Sequence, residues 1–368
     1  MKKAIQCFLA LMALMFLSVG AYAQVTTSSL GGKITDEVGL AAAGVTVVAT
    51  HVPSGTIYTA VTNNDGRYAI QGMRTGGPYK VEISYIGYKT IHFTDITLQL
   101  GDVYNLSTEL KEEAVQLDDI VVVASATSAF AGEKFGSSTN ISNRNIQSLP
   151  TISRSITDIT KLSPYGGSGM SFAGGDGRSS NFTVDGANFN NNFGLSSRLP
   201  GGGAPISIDA IEEVQVVIAP FDVRQTNFIG GGVNAITKSG TNTLRGTAYV
   251  FHRNENMRGN RVDGVELGER GIDRNTTYGI TLGGPIVKNK LFFFVNFEYT
   301  KTPTIVNRWR PSVDGVANTD NYISRTTMAD MKKVSDFLSS KYGYETGSYT
   351  DYPADESNMK ILARIDWN

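Results

Sequence analysis

Apolar and polar residues alternate along several stretches of the chain, which is the pattern of β-strands with two unlike faces. Segment 244–253 has one apolar face and one polar face: Leu244, Gly246, Ala248 and Val250 on the first, and Arg245, Thr247, Tyr249 and Arg253 on the second. A strand of this kind is typical of the wall of a water-filled membrane barrel, where one face meets lipid and the other meets water.

Three later segments repeat this alternation and predict strands over Thr277 to Ile286, Leu291 to Tyr299 and Met359 to Trp367. Each is close to the ~9–11 residues that a membrane strand needs. Several polar side chains share the face expected to point inward: Asn296, Glu298, Lys360, Arg364 and Asp366. The connections alternate between long and short, as in outer-membrane proteins. Within the longest, the spacing over Thr327 to Lys341 predicts an amphipathic helix that packs on neighbouring loops.

Residues Ser29 to Lys111 contain short strand-like runs separated by turn signals, which favours a small β-sandwich. The runs share alternation and β-branched or aromatic residues: Gly32–Thr35, Val45–Thr50, Ile57–Val61, Tyr68–Ile70, Tyr79–Tyr85 and Tyr104–Leu110. Asp65-Gly66 is a hairpin signal because glycine reaches a positive φ at low cost.

A short strand-forming segment, Asp118 to Val123, follows an acidic and non-periodic stretch after Lys111. Two interpretations remain open. An extended segment can add to the edge of a partner's sheet through backbone hydrogen bonds. Alternatively, Ile120 to Val123 is the last strand of the sandwich.

The middle of the chain predicts a compact mixture of helix and strand. Apolar residues at helical spacing over Ile141 to Ser163 indicate a helix that Pro164 ends. Asn181 to Gly186 indicates a strand that ends in a turn, and Asn188 to Gly194 is a polar, aromatic loop. Residues 206–218 indicate a short acidic helix leading into a buried strand, and the glycine run after Phe228 permits close backbone packing.

The N-terminus indicates export. Lys2 and Lys3 precede an apolar run from Ile5 to Val19, and Ala21-Tyr-Ala23 is a small-x-small cleavage site. These features predict a secretory signal peptide cleaved after Ala23. Since the only cysteine, Cys7, lies in this segment, the mature chain is expected to have no disulfide and no thiol nucleophile.

Composition excludes several functions. Without residues 1–23 the chain has 31 basic and 34 acidic residues, whereas nucleic-acid binding calls for a basic excess. Forty glycines among 368 residues fit turn-rich β structure better than a helical bundle. His51 and His92 lack the spacing of metal ligands and are interpreted as ordinary surface or strand histidines. No cofactor and no enzymatic activity are expected.

The run from Ile206 to Arg253 closely resembles the end of the plug and the first barrel strand of TonB-dependent outer-membrane receptors. It is most similar to the Oar-like type, which carries the same Thr-Lys-Ser-Gly-Thr-Asn sequence seen at 237–242. The motifs Gly32-x-Ile-x-Asp36 and Asp65-Gly-x-Tyr68 resemble those of the carboxypeptidase regulatory-like domain, which is non-catalytic despite its name.

The resemblance implies a mainly β fold with an N-terminal β-sandwich, an α+β plug and the first strands of a transmembrane barrel. The implied order has five parts: signal peptide 1–23, sandwich 24–112, linker 113–134, plug 135–242 and barrel start 243–368. Four strands cannot close a barrel of about 22 strands, so the chain is expected to be the front of a longer protein.

The resemblance also implies partners and their contact residues. TonB is expected to bind the tether, which consists of Asp118, Asp119, Ile120, Val121, Val122 and Val123. The ligand is expected to contact the loop Asn188, Phe189, Asn190, Asn191, Asn192 and Phe193. Outer-membrane lipid should surround the barrel, and a surface lipoprotein is a further candidate partner. The alternatives are a SusC-type glycan importer, a surface adhesin built on β-domains and a secreted hydrolase.

Overall fold

A computed structural model describes residues 26–112, 120–123, 138–149, 151, 154–190, 199, 205–218, 225, 229–266, 273–303, 305–307, 309–347, 349, 352–353 and 355–368. Two compact units divide the chain. The first comprises Met1–Gly246, Thr281–Asn296 and Leu362–Asn368, and the second comprises Thr247–Ile280 and Phe297–Ile361.

Strands dominate the described residues. They are β1 Ser28–Thr35, β2 Thr46–His51, β3 Thr56–Val61, β4 Arg67–Met73, β5 Gly76–Ser84, β6 Ile91–Leu98, β7 Val103–Asn105, β8 Thr108–Glu109, β9 Ile120–Val123, β10 Ser138–Ser142, β11 Asn181–Val184, β12 Ala187–Asn188, β13 Ile211–Val217, β14 Gly232–Thr237, β15 Arg245–Arg253, β16 Arg261–Val262, β17 Val265–Glu266, β18 Asn275–Val287, β19 Leu291–Thr302, β20 Ile305–Asn307, β21 Arg310–Ser312, β22 Ile323–Thr327, β23 Tyr352–Pro353 and β24 Glu356–Trp367. The α-helices are α1 Asn143–Ser148, α2 Ile156–Thr160 and α3 Met328–Tyr342. Single 3₁₀ turns occur at Gly177–Ser179, Ile208–Ala210 and Glu255–Met257. Among the helices in the described residues, none combines the length and the apolar character needed to cross a membrane.

The first domain is a β-sandwich, as the turn-separated runs predict. One sheet has the order β4-β1-β7, with β8 also paired to β1, and the other has the order β3-β2-β5-β6-β9. Their inner faces share one apolar core in which Leu30, Val47 and Ile83 are completely buried. Burial of alternate residues on facing sheets supplies most of the stabilisation of such a domain.

Strand β6 is the element of the sandwich that the alternation did not predict. Its buried residues are Ile91, Phe93, Ile96 and Leu98, so the period of two breaks between Phe93 and Ile96. The register against β5 shifts in this region, and Asp95 has a positive φ of 61°. A bulge of this kind inserts one extra residue and moves the following side chains to the other face.

The middle of the chain, predicted as the plug, contains a five-stranded mixed sheet of order β10-β13-β14-β11-β12. Strand β14 runs antiparallel to β13 and parallel to β11. Nearly all residues of β13 and all of β14 are buried, which fits strands covered on both faces. The predicted acidic helix before β13 is a single 3₁₀ turn, which Ser207 caps by accepting a hydrogen bond from Asp209 N.

The single helix predicted over Ile141 to Ser163 is wrong. Ile141 lies on strand β10, and two short helices follow, each capped by a serine at its N-terminus. Leu149 ends α1 in an extended conformation because the following Pro150 disfavours helical geometry at the preceding residue. Leu162, one of the apolar residues at helical spacing in this segment, is 42% exposed.

The amphipathic segments form a sheet of order β15-β18-β19-β24, and each strand begins within a few residues of its predicted start. Apolar side chains on one face are exposed, among them Ile280, Ile361 and Ile365. On the other face Asn296 is 1% and Glu298 is 4% exposed. The sheet therefore has the apolar outer face and polar inner face that the alternation predicts.

Helix α3 matches the helix predicted in the long connection. Thr327 caps its N-terminus by accepting from Asp330 N, and Gly343 ends it with a left-handed φ of 63°, a conformation that glycine adopts without a Cβ clash. It lies next to β21 and β22. The expected packing of its apolar face is wrong for the described residues, since Val334 and Phe337 stay 56% and 52% exposed.

Candidate functional site

The predicted TonB-contact segment is partly described. Asp118 and Asp119 lie outside the described residues. Ile120–Val123 forms β9, which runs parallel to β6 at one end of the five-stranded sheet of the sandwich. Of the two interpretations left open by the sequence, the pairing agrees with a last strand of the sandwich, while contact with TonB stays a prediction.

The predicted ligand loop is described only in its first half. Asn188 belongs to β12, and Asn191, Asn192 and Phe193 lie outside the described residues. The Phe189 ring lies 6.5 Å from the Phe182 ring at an edge-on angle and remains 37% exposed.

The Asn190 side chain closes this loop onto the middle sheet. Its Oδ1 accepts from Phe182 N at 2.7 Å, and its Nδ2 donates to Asn181 Oδ1 at 2.7 Å. Both ends of the amide are therefore engaged in holding the loop, and a ligand contact by Asn190 stays a prediction. Phe189 has the more accessible side chain of the two.

The turn between β6 and β7 docks on the middle sheet through Leu100. Leu100 N donates to Glu213 Oε1 at 3.0 Å. Leu100 O accepts from Gln215 Nε2 at 2.6 Å and from Asn140 Nδ2 at 2.9 Å. The Leu100 side chain is fully buried in a small cluster with Ile236. Three side chains from β10 and β13 thus satisfy both backbone groups of one residue of the sandwich, as buried polar groups require.

Glu213 is the titratable group of this contact. Burial raises the pKa of Glu213 to about 7, hydrogen bonds from Leu100 N and Asn140 lower it, and the nearby Asp102 and Glu212 raise it. Desolvation dominates because a carboxylate loses its hydration in the sheet, and the charged groups of the described residues that act on it, Asp102 and Glu212, are both acidic. The contact therefore contains a carboxyl group that changes charge near neutral pH.

A second contact joins the middle sheet to the last barrel strand through Arg364. Its Nη1 donates to Thr237 O at 2.9 Å and lies 3.4 Å from Asp185 Oδ1. Thr237 N in turn donates to Asp185 Oδ1 at 2.9 Å. Arg364 also pairs with Asp366 at 2.8 Å, and Arg74 of the sandwich lies 3.8 Å from the same Asp366. One ion-pair network thus links three elements that are distant in sequence.

Polar contacts also hold the turn between β2 and β3 next to the barrel strands. Asn242 N donates to Pro53 O at 2.8 Å, and Asn242 Nδ2 donates to Asn289 Oδ1 at 2.7 Å. Asn368 Nδ2 donates to Thr56 Oγ1 at 2.6 Å. Asn242 is the last residue of the Thr-Lys-Ser-Gly-Thr-Asn run, so this motif ends in a residue that bonds to two separate turns.

Gly240, in the same run, is required by close backbone approach. A Cβ there would lie 2.6 Å from Gly284 O and also meet Phe293 O, closer than such atoms can pack. Gly240 thus lets the segment after β14 lie against the backbone of β18 and β19.

The inner face of the barrel sheet carries a buried ion pair. Lys360 Nζ lies 2.6 Å from Glu298 Oε1, and Tyr249 OH donates to Glu298 Oε2 at 2.8 Å. The side chains of Lys360 and Glu298 are 10% and 5% exposed. Sequence alternation placed all three residues on the inner face but did not predict their pairing, because they lie on three different strands.

His51 is a strand histidine, as interpreted, but it is buried rather than at the surface. It lies on β2 at 4% exposure, and its Nδ1 lies 2.6 Å from Ser54 Oγ. Burial, followed by the charge of Arg74, lowers the pKa of His51 to about 4. The imidazole is therefore neutral over the physiological range and acts as a hydrogen-bonded core residue.

Two family models match separate parts of the chain. A carboxypeptidase regulatory-like domain matches residues 29–111, and an outer membrane beta barrel domain matches residues 236–316. The first match covers the sandwich, and the second covers the end of the middle sheet and the first amphipathic strands.

A curated relative and two solved structures are also similar. The chain is 26% identical to the TonB-dependent transporter Oar of Myxococcus xanthus over 95% of its own length and 33% of the relative. It therefore spans about a third of that protein. The siderophore receptors PirA of Pseudomonas aeruginosa and Acinetobacter baumannii share 20% and 18% identity, with TM-scores of 0.36 and 0.32. These cover 46% and 45% of this chain, and 28% and 24% of theirs. TM-scores of this size do not establish a common overall fold.

The matches confirm three predictions: the resemblance to Oar-like TonB-dependent receptors, the mainly β fold with a sandwich and an outer-membrane barrel domain, and the location in the outer membrane. The signal peptide lies outside the described residues. The identity of the middle sheet as a plug and the boundaries between the five predicted parts stay predictions.

Proposed function

We propose that this chain belongs to a TonB-dependent receptor of the outer membrane that takes up a ligand. The proposal is consistent with its carboxypeptidase regulatory-like domain and its outer membrane beta barrel domain. The ligand is unidentified. In this proposal the middle sheet blocks the barrel, and TonB binds the tether at 118–123 to transmit energy from the inner membrane. The relative named Oar is called a TonB-dependent transporter, which supports this class over a SusC-type importer or an adhesin.

The observation that carries the proposal is the bonding of the middle sheet to the inner face of a membrane-type sheet. Phe294, on β19, is buried in the same apolar core as Phe182 and Val233 of the middle sheet. Arg364, on β24, bonds to Thr237 and Asp185. Barrel strands with an apolar outer face and a domain packed on their polar inner face support a plugged barrel.

The order of elements gives TonB a mechanical route to this plug. The tether is followed by residues 124–137 and then by β10, an end strand of the middle sheet that pairs with β13 alone. Asn140, at the centre of β10, bonds to Leu100 O. Tension on the tether would reach β10 before any central strand, and end strands lose fewer backbone hydrogen bonds when they separate.

We propose that the ligand contacts the loop from Asn188 to Phe193. Phe189 offers an exposed aromatic ring, and asparagine side chains both donate and accept hydrogen bonds. Uptake of an intact ligand needs no bond chemistry. The curated relative is named a transporter and the similar structures are named receptors, which indirectly supports a role that is not enzymatic.

The proposal is tested by Val121→Pro in the exported protein, with Ala126→Pro as the matched control further along the linker. Proline removes a backbone donor from the strand. Binding of the purified periplasmic domain of TonB should weaken about tenfold or more with Val121→Pro, while Ala126→Pro binds as the unmodified chain does. Unchanged TonB binding by Val121→Pro would contradict the proposal.

Abundance in the outer membrane and protease resistance of the first domain are measured in the same samples. Both should stay at the level of the unmodified chain, since β9 lies at one end of its sheet. A first domain that becomes protease-sensitive in Val121→Pro would mean that the proline acts through the fold of the sandwich and not through a TonB contact.

A further inference from the structure

The described part of the tether, Ile120–Val123, is a strand of the five-stranded sheet of the first domain. Strand β9 pairs in parallel with β6 over four positions: Ile91 with Ile120, His92 with Val121, Phe93 with Val122 and Thr94 with Val123. The sheet order β3-β2-β5-β6-β9 leaves β9 at one end. One edge of β9 is therefore bonded to β6, and its other edge has no strand partner within the described part of the chain.

Strand β9 has the composition of a strand edge that can pair with another strand. Its sequence is Ile-Val-Val-Val, without a charge, a proline or a glycine. Natural edge strands are usually protected by lysine, proline or a bulge, because the unpaired N–H and C=O groups otherwise recruit another chain. β-Branched residues favour the extended conformation that such pairing needs. An unprotected edge of this kind fits an added strand.

We infer that the first domain presents the tether to its partner as a pre-formed edge strand, and that an extended strand of a periplasmic protein adds to the outer edge of β9. The partner strand would become the sixth strand of the sheet, held by main-chain hydrogen bonds. This inference rests on the proposed function for the identity of that partner, the periplasmic domain of TonB. The sandwich acquires a role in recognition, since it holds the segment in the conformation that is bound.

Pre-formation has a measurable consequence for affinity. A free tether must lose conformational freedom when it binds, and that loss reduces the affinity for a given set of hydrogen bonds. A tether already paired to β6 has been ordered by its own domain. The competing mechanism is release, in which β9 must leave β6 before TonB can bind. The two mechanisms differ in whether β6 and β9 stay together in the complex.

A reversible covalent link between β6 and β9 separates the two mechanisms. His92 and Val121 are directly opposite in the parallel register, and neighbouring strands ~4.8 Å apart are within the Cα distance that a disulfide spans. The full exported chain carries His92→Cys with Val121→Cys. Because the only native cysteine is Cys7 in the predicted signal peptide, a single intramolecular disulfide is expected. Thr94→Cys with Val123→Cys is a second pair in the same register.

The control link is Val48→Cys with Thr59→Cys, which joins β2 and β3 of the same sheet and leaves β9 untouched. Each protein is mixed with the purified periplasmic domain of TonB before and after reduction, and the dissociation constant is measured. If the partner adds to the outer edge, the oxidised β6–β9 link should bind within about twofold of its reduced form and of the control.

Loss of binding by about tenfold or more in the oxidised form, restored by reduction, would overturn the inference in favour of release. Failure of both β6–β9 pairs to form a disulfide in the folded chain, while the control pair forms one, would overturn the pairing itself. If the unmodified chain does not bind the TonB domain, the proposed function fails and takes this inference with it. Binding by the unmodified chain but not by the oxidised link rejects the inference alone.

Discussion

The sandwich and the barrel sheet show the same alternation of apolar and polar residues, but they bury opposite faces. In the sandwich, the apolar residues of alternating strands are the buried ones, and Val47 on β2 is completely inaccessible. In the barrel sheet, the apolar residues are the exposed ones, and Ile365 on β24 is 71% exposed. A period of two therefore predicts a strand, but it does not predict which face of the strand is covered by protein.

The two regions also differ in how they accommodate the charged residues of the polar face. The polar face of β5 in the sandwich carries Lys80 and Glu82 opposite the buried Val81 and Ile83, and water can hydrate both charges. The inner face of the barrel sheet carries Glu298 and Lys360, which are buried and paired at 2.6 Å. Charges that face a core must be paired, whereas apolar residues that face lipid need no partner. Paired charges buried on the polar face, opposite an exposed apolar face, therefore distinguish the barrel sheet from the sandwich.

The largest loss of stability is expected when a charge is placed in the apolar core of the sandwich. Val47→Asp places an unpaired carboxylate in an apolar core, which costs more than ~4 kcal/mol of unfolding free energy, enough to unfold much of a small domain. Ile57→Asp is the matched control, because Ile57 is 63% exposed on the adjacent strand β3, and it should stay within ~0.5 kcal/mol. Urea unfolding of residues 26–112 measures both. Equal losses would show that the sandwich core is misassigned.

The next effect tests the barrel side. Lys360→Met removes one partner of a buried ion pair and leaves Glu298 uncompensated, which should cost ~3–5 kcal/mol. The double variant Lys360→Met with Glu298→Gln should recover a large part of that loss, because no buried charge remains. Thermal unfolding of the detergent-solubilised protein gives both values. A double variant less stable than Lys360→Met alone would contradict the buried pair.

The middle sheet differs from both, since its buried carboxyl group Glu213 is influenced by the acidic Asp102 and Glu212. Burial raises the pKa of Glu213 from 4.5 to about 7, so between these values the folded state binds more protons than the unfolded state. The contribution of Glu213 to stability should therefore be largest below pH ~4.5 and fall as pH rises towards ~7, by an amount on the order of 3 kcal/mol. His51, whose pKa burial lowers to about 4, acts in the opposite direction over a similar range, so the effect of Glu213 is seen by comparison with a variant that lacks it. Above that range this contribution should be constant.

Glu213→Gln tests this pH dependence because glutamine keeps an acceptor for Leu100 N but carries no charge. Relative to the unmodified chain, Glu213→Gln should gain stability as pH rises from 4.5 to 7, whereas Glu109→Gln, a substitution of an exposed carboxylate on β8, should follow the unmodified chain. Unfolding midpoints across this pH range provide the measurement. A pH dependence of Glu213→Gln that matches that of the unmodified chain would show that Glu213 does not contribute.

The smallest effect compares one hydroxyl in each region. Tyr68 OH donates to Leu106 O at 2.8 Å in the sandwich, and Tyr249 OH donates to Glu298 in the barrel sheet. Tyr68→Phe leaves a carbonyl without its side-chain donor and should cost ~1–2 kcal/mol. Tyr249→Phe should cost less, because Lys360 still binds Glu298. The opposite order, measured from unfolding midpoints, would show that Lys360 does not compensate.

Much of the fold was predictable from the sequence because local patterns determine it. The strands β18, β19 and β24 and the helix α3 are found within a few residues of their predicted bounds. Each has sustained periodicity and recognisable ends, such as Thr327 and Gly343 around α3. Strand β6 failed as a prediction because the bulge at Asp95 breaks the alternation inside the strand.

The contacts between elements were not predictable in the same way. Leu100 binds Glu213 and Gln215 across more than one hundred residues, and neither its residue type nor its position in a turn signals a partner. The same holds for Arg364, whose inward direction follows from alternation but whose bonds to Thr237 and Asp185 do not. The pairing of β9 with β6 was left as one of two alternatives because four apolar residues fit a tether and a sheet strand equally well.

The most direct test of the account is the orientation of β24 in the outer membrane. A nitroxide spin label is placed at each position from Met359 to Trp367 of the exported protein, and its collisions with oxygen and with a water-soluble nickel chelate are measured in membrane vesicles. The account predicts a period of two, with oxygen access highest at 359, 361, 363, 365 and 367, whose side chains are exposed on the outer face. Access that peaks at 360, 364 and 366 instead, or that shows no period, would contradict a barrel strand with an apolar face in lipid.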